Sequence, residues 1–308
     1  MLATGALLSS GIQGSAANAG QRRFHDTAAD GTRNRAASPA SLRQPQVIGT
    51  DDRQRVADTT RFPYSAVAYL ELEDIDGEPI GSCTGTFIGP DSLLTAGHCL
   101  WDTTTGDWLA NHIRVIPGKD DDFEPFGWEM AGDWWVPDAY AETGSVDWDW
   151  GLLKMPNDAL TVDTGWLGLA VLDQASLESD GLHPTITGYP ADKPLGTMWA
   201  ASRPKFRAVA DFRLFYDIDT GAGQSGAAIW LDSEGPLFGR VVGIHAQGGT
   251  LNSGSRIDQE LLDDVLEGCR VMECTIAIDA SAPATPPGPP HVPVDLPFHS
   301  YGVALARD

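Results

Sequence analysis

Thr95-Ala96-Gly97-His98-Cys99 is the stretch whose reading decides the fold, because it acquires a meaning together with three later runs. These are Asp149-Trp150-Gly151-Leu152-Leu153-Lys154, Gly223-Gln224-Ser225-Gly226 and Gly243-Ile244-His245. A serine hydroxyl is a poor nucleophile at neutral pH and needs an imidazole to take its proton as it attacks a carbonyl. That imidazole must be held in one tautomer, which a buried carboxylate accepting from its other nitrogen achieves. His98 fits the base, Asp149 the orienting acid and Ser225 the nucleophile. Asp147 competes with Asp149 for the place of the acid. The backbone N–H groups of Gly223 and Ser225 are the expected donors to a developing oxyanion, since a residue without Cβ can turn sharply there.

The order His, Asp, Ser resembles that of the chymotrypsin-like serine proteases and not that of subtilisin or the α/β-hydrolases. The resemblance implies an all-β fold of two six-stranded antiparallel β-barrels followed by one C-terminal α-helix. His98 and Asp149 would come from the first barrel and Ser225 from the second, with the site in the cleft between them. It also implies a disulfide from Cys83 to Cys99, clamping the loop of the base, which leaves Cys269 to pair with Cys274. On counting alone, four cysteines allow three connectivities, and an even number fits an oxidising compartment.

Composition agrees with β-structure cut by turns: there are 34 Gly and 21 Pro, and 42% of residues are hydrophobic. Apolar runs at Tyr64 to Leu72, Cys83 to Ile88, Ile113 to Ile116, Gly151 to Met155, Thr185 to Gly188, Gly226 to Leu231 and Val241 to His245 read as strands, with Asp74 to Gly77 as a turn. Ser255 is the expected cap of a helix carrying Ile257, Leu261, Leu262, Val265 and Leu266, with Gly268 as its stop. The net charge of −23 argues against nucleic acid or an anionic membrane as partner. The first 46 residues run the other way, with Arg22, Arg23, Arg33, Arg35 and Arg43 against Asp26 and Asp30. A basic leader of this kind can dock on an acidic body.

Residues 1–19 read as a truncated secretory signal, with an apolar stretch from Leu2 to Leu8 and a small-residue site at Ala17-Asn18-Ala19 but no preceding Lys or Arg. Residues 20–46 read as a pro-segment, 47–278 as the protease domain and 279–308 as a Pro-rich tail. Nothing is long and apolar enough to span a bilayer. No cofactor is implied, and neither cysteine nor histidine spacing suggests a metal. Asp120-Asp121-Asp122 lacks the ligand spacing of a calcium loop and reads as a solvated acidic turn, while His112 and His183 read as structural or surface residues. The expected partners are protein and peptide substrates and the chain's own pro-segment, and the body is read as a secreted, extracellular monomer.

A narrower resemblance rests on Gly188-Tyr189-Pro190-Ala191-Asp192-Lys193-Pro194-Leu195-Gly196-Thr197-Met198-Trp199, and on Val47-Ile48 followed by Asp52-Arg53 and Asp58-Thr59-Thr60. Over roughly residues 47 to 268 the chain is similar to the glutamyl endopeptidases of staphylococcal and bacillar type. These are made as zymogens and cut after Glu, less well after Asp. A glutamate side chain entering a pocket loses hydration and needs hydrogen bonds in return. The resemblance assigns those bonds to His245, to the hydroxyl of Thr220 and to the α-amino group of Val47, which exists only after the bond from Gln46 is cut. Asp219 stands where trypsin carries the acid that binds Lys or Arg, so a trypsin-like preference is the competing expectation. A non-catalytic binding protein on the same scaffold is a further alternative.

Overall fold

Strands Val67–Glu73 and Pro79–Phe87 form a hairpin because the intervening residues supply a turn. The Asp74 carboxylate accepts the N–H groups of Asp76 at 2.9 Å and Glu78 at 3.0 Å, while Gly77 takes φ +79°. The computed structural model describes the backbone of residues 23–26, and residues 46–277 except 234. The expected signal segment, the rest of the pro-segment and the Pro-rich tail lie outside the described residues.

The hairpin sits inside a curled antiparallel sheet. Its strands run Arg23–Asp26, Asp133–Val136, Gly151–Lys154, Ser92–Thr95, Pro79–Phe87, Val67–Glu73, His112–Pro117 and Glu129–Met130. A second sheet runs Ala208–Val209, Arg213–Tyr216, Asn252–Arg256, Arg240–Gln247, Ala228–Leu231, Pro184–Gly188, Trp199–Ser202 and Gln54–Arg55, with Gly168–Leu169 added parallel to Arg240–Gln247. Setting aside the leader strand and the two-residue edge strands, six strands remain in each sheet. The all-β chymotrypsin-like fold is therefore present as two curled sheets, extended at their edges by short strands. The strand Arg23–Asp26, which falls within the expected pro-segment, pairs antiparallel with Asp133–Val136, Phe24 lying opposite Trp135 in register.

Each sheet buries one side. Leu70, Phe87, Leu94, Trp134, Trp150 and Leu152 are buried in the first core, and Ile186, Leu214, Tyr216, Ile229 and Val242 in the second. A third cluster with Val67, Tyr69, Tyr189 and Met198 joins the two sheets and fixes their relation. Disulfides connect Cys83 to Cys99 and Cys269 to Cys274.

The helix begins later than its sequence suggests. Ser255 belongs to the strand Asn252–Arg256, where it pairs with Arg213, and the cap is Asp258, whose carboxylate accepts the N–H of Leu261 at 2.8 Å. The helix Gln259–Met272 then passes through Gly268, which rests against the ring of Trp135, and ends with Glu273 in the left-handed region. Strand pairing claimed Ser255 first, and a glycine that reads as a stop is instead a packing contact.

Candidate active site

His98 lies in a one-turn segment, Gly97–Cys99, directly after the strand Ser92–Thr95, so the sheet aims it and the Cys83–Cys99 bridge ties it down. Asp149 follows a second short turn, Val146–Trp148, and precedes the neighbouring strand Gly151–Lys154. Antiparallel pairing of those strands, with Gly151 opposite Thr95, brings the two side chains together across a gap of 51 residues. The His98 Nδ1 stands 2.9 Å from Asp149 Oδ2, and the His98 backbone N–H donates to Oδ1 at 2.9 Å. Asp149 is fully buried, whereas Asp147 is half-buried and faces Arg213 at 3.7 Å. One further donor reaches the carboxylate: Gln247 Nε2 gives Asp149 Oδ2 a hydrogen bond of 2.8 Å.

Ser225 is carried by the loop between Asp219 and the strand Ala228–Leu231. Gly223 has φ +89° and Gly226 φ +87°, values that side-chain-bearing residues rarely adopt. A Cβ on Gly226 would lie 2.2 Å from Thr95 Oγ1 and 2.7 Å from Ala96 N, so the loop presses against the very residues that lead to His98. Carbonyl groups hold it in place. The Ser225 oxygen accepts the Thr84 N–H at 2.9 Å, and the Gly223 oxygen accepts the Thr84 hydroxyl at 2.8 Å. Among the described residues no acceptor engages the N–H of Gly223 or Ser225, so both remain available as donors.

His245 lies in the strand Arg240–Gln247 with its ring fully buried. Tyr216, two strands away in the same sheet, meets its Nδ1 at 2.7 Å. Complete burial holds the Tyr216 phenol well above its usual pKa, so the phenol keeps its proton and donates it to Nδ1. The ring proton of a neutral His245 then sits on Nε2, which has no partner among the described residues; the buried hydroxyl of Thr220 has none either. Burial, helped by His98, pushes the His245 pKa down to about 3, with Asp149 and the Ser253 carbonyl pulling the other way. The site thus offers neutral donors in a dry place.

Asp219 corrects the trypsin-like expectation. Its buried carboxylate accepts the N–H of Ile48 at 2.7 Å and of Asp52 at 3.0 Å, with Arg203 Nη2 3.9 Å away. Both oxygens are therefore spent on residues 48–52 and do not await a basic side chain. Burial raises the Asp219 pKa, and the two backbone donors oppose that shift. The same segment is tied a second time. Arg53, its guanidinium buried, reaches Asp51 at 2.9 Å through Nε and Asp192 at 2.9 Å through Nη1, while Lys193 meets Asp51 at 2.8 Å. The Gly188 to Trp199 run therefore supplies anchors for the segment behind Val47, and Val47 itself is exposed.

Sequence reasoning missed Gln247, Tyr216 and Asn252. The last is a fully buried side chain bonded to the backbone of Gln46. The ladder shifts register between His245 and Gln247, which turns Gln247 out of simple alternation and toward Asp149. No local pattern announces that.

Acyl transfer by a serine is what this arrangement can perform, and the class it defines is the serine endopeptidases built on two curled sheets. The chain belongs to the trypsin family, whose model matches residues 52–258. It is 33% identical over 239 residues to a glutamyl endopeptidase of Bacillus licheniformis, covering 75% of this chain and 70% of that one. It is 30% identical to a Bacillus subtilis protein named extracellular metalloprotease, covering 73% and 70%. Among the described residues no group of three or more His, Cys, Asp or Glu is placed to hold a metal ion. A solved structure of a Glu endopeptidase in complex with MPD superposes with a TM-score of 0.63 at 28% identity, covering 72% of this chain and 98% of that one.

Proposed function

We propose that the protein is a secreted endopeptidase that cleaves on the carboxyl side of glutamate. The observation that carries this reading is the pairing of a buried neutral His245, its Nε2 unpartnered, with an unpartnered Thr220 hydroxyl, while Asp219 is turned away into the segment 48–52. A carboxylate is the ligand that satisfies neutral donors in a dry pocket. An arginine or lysine would find no free acceptor at Asp219.

In the proposed reaction Ser225 Oγ attacks the substrate carbonyl as its proton passes to His98 Nε2, and the oxyanion settles on the N–H groups of Gly223 and Ser225. Collapse breaks the C–N bond. The leaving amine takes the proton from His98, and an acyl-enzyme on Ser225 remains. Water then attacks the acyl carbon, giving a proton to His98; the bond from that carbon to Ser225 Oγ breaks, Oγ takes the proton back from His98, and the new carboxyl product leaves. Asp149 holds the imidazole in place throughout.

Residues 20–46 act as a pro-segment in this reading, and hydrolysis between Gln46 and Val47 frees an ammonium group at Val47. Asp219 and Arg53 anchor the chain just behind that group, which supports a role for it beside His245 and Thr220 in reading glutamate. Extracellular location is supported by the even number of cysteines, all bridged. Among the described residues no helix is long and apolar enough to cross a membrane.

The test is to map cleavage sites in a denatured protein while sequencing the enzyme's own N-terminus. Cuts after Glu by material beginning at Val47 are expected. Faster turnover of an Arg peptide than of its Glu counterpart would refute the proposed specificity.

A further inference from the structure

Gln46, the last residue of the leader, is gripped by a side chain in the way a strand partner would grip it. Asn252 Oδ1 accepts its N–H at 3.1 Å, and Asn252 Nδ2 donates to its carbonyl at 2.6 Å. The Thr220 N–H donates to that same oxygen at 3.2 Å. Asn252 is fully buried, and its second amide hydrogen goes to the Ile218 carbonyl at 2.9 Å, which fixes the orientation of the group.

These contacts lie within the pocket just described. Asn252 stands opposite Tyr216 in the sheet, Tyr216 holds His245, and Thr220 supplies one of the two donors to Gln46. A carbonyl oxygen of the leader therefore sits on two aimed N–H groups beside two buried polar atoms that lack partners, Thr220 Oγ1 and His245 Nε2. Buried donors demand acceptors. Hydrolysis adds water across the Gln46–Val47 amide, leaving a carboxylate on Gln46 and an ammonium on Val47, and departure of the leader removes that oxygen from its two donors.

We infer that Asn252 is a specificity-determining residue, exchanged from leader to substrate: its Nδ2–H, with the Thr220 N–H, binds Gln46 in the precursor and the side-chain carboxylate of glutamate in the mature enzyme. The Gln46 carbonyl is then an internal stand-in for one oxygen of the substrate carboxylate, and the pocket stays filled until the leader goes. Asn252 Oδ1, vacated by the Gln46 N–H in the same event, becomes an acceptor for the new Val47 ammonium. The inference rests on the proposed glutamate specificity and on cleavage before Val47.

The experiment uses mature protein beginning at Val47, with wild-type, Asn252→Ala and Asn252→Asp forms, and paired peptides differing only in Glu or Gln at the cleaved residue. Reaction of Ser225 with a fluorophosphonate reports an intact catalytic centre in each form. Wild type should favour the Glu peptide, and the wild-type arm alone tests the proposed specificity. Asn252→Ala should lower the Glu-to-Gln ratio of kcat/KM roughly ten-fold, as expected for loss of a hydrogen bond to a charged group, and Asn252→Asp should lower it further by repulsion. An unchanged ratio in a variant that still reacts with fluorophosphonate overturns the inference, even if overall activity falls. Should Asn252→Ala fail to react, Asn252→Ser is read by the same ratio, with the same outcomes supporting or overturning.

Discussion

Gln247 Nε2 donates to Asp149 Oδ2 at 2.8 Å, so the carboxylate that faces His98 is held from both sides. Gln247 acts on the proposed reaction through Asp149, which makes it a positioning residue. Gln247→Ala should lower kcat about ten-fold with little change in KM, the effect of removing one hydrogen bond from a buried charge. Gln247→Glu keeps the shape but sets a carboxylate against a carboxylate, and should cost more. Steady-state kinetics on a Glu peptide checks both, and a change confined to KM would count against the positioning role.

His245 makes stability depend on pH. Its folded pKa of about 3 lies below the ordinary value of 6.5, so the unfolded chain binds the proton more readily. The stabilisation is present above about pH 6.5 and is lost as pH falls toward 3, at up to about 1.4 kcal/mol per pH unit. Melting temperatures measured between pH 7 and pH 4 on a Ser225→Ala background, which prevents self-digestion, should fall less steeply once His245→Asn is added. Parallel curves would show that other groups set the slope.

Tyr216→Phe removes the donor that places the His245 proton on Nε2. The expected result is a rise in KM for Glu peptides of roughly five- to ten-fold, with the rate of fluorophosphonate reaction at Ser225 unchanged. A loss shared equally by both measurements would point to a packing defect instead.

Asp219→Asn should leave Arg peptides uncleaved and lower stability by about 1–3 kcal/mol, because one of the two backbone donors, at Ile48 or Asp52, then meets an amide N–H. Denaturant midpoints and paired Glu and Arg peptides make the check. Removal of a significant Arg activity by this substitution would restore the trypsin-like reading.

Arg53→Ala should be the most damaging of the anchor substitutions. It strands Asp51 and Asp192, whose carboxyl groups its guanidinium now holds below the usual range. Breaking such a pair around a buried charge costs about 3–5 kcal/mol at full burial, and less here because both acids are partly exposed. Thermal melts of Arg53→Ala and Asp192→Ala should show the former lower.

The legible part of this protein is the part written locally. Alternation and turn residues marked seven strands, among them Val67–Glu73 and Arg240–Gln247, to within a few residues but passed over Ser92–Thr95, Asp133–Val136, Trp199–Ser202, Arg213–Tyr216 and Asn252–Arg256; the runs around His98, Asp149 and Ser225 named the chemistry. What was illegible depends on partners far apart in sequence. Asp219 looks like a pocket acid until the N–H of Ile48, 171 residues earlier, is seen to claim it. Gln247 gains its role only from Asp149, 98 residues away, and Asn252 from Gln46, 206 residues away. Ser255 failed as a helix cap because a strand partner, Arg213, outcompeted the local signal. The Gly188 to Trp199 run pointed to the right relatives without disclosing that Asp192 and Lys193 moor residues 51–53.

The ladder between Arg23–Asp26 and Asp133–Val136 ties the leader to the body at a second place, remote from Gln46 in sequence. In the proposed maturation, cutting before Val47 breaks the covalent tether but none of those backbone bonds. What had been a contact within one molecule becomes an encounter between two, and its occupancy then answers to dilution. Were the proposed leader fragment to drift off, the Asp133–Val136 strand would be left with a bare row of N–H and C=O groups on its outer side, an edge that the closed ladder now covers.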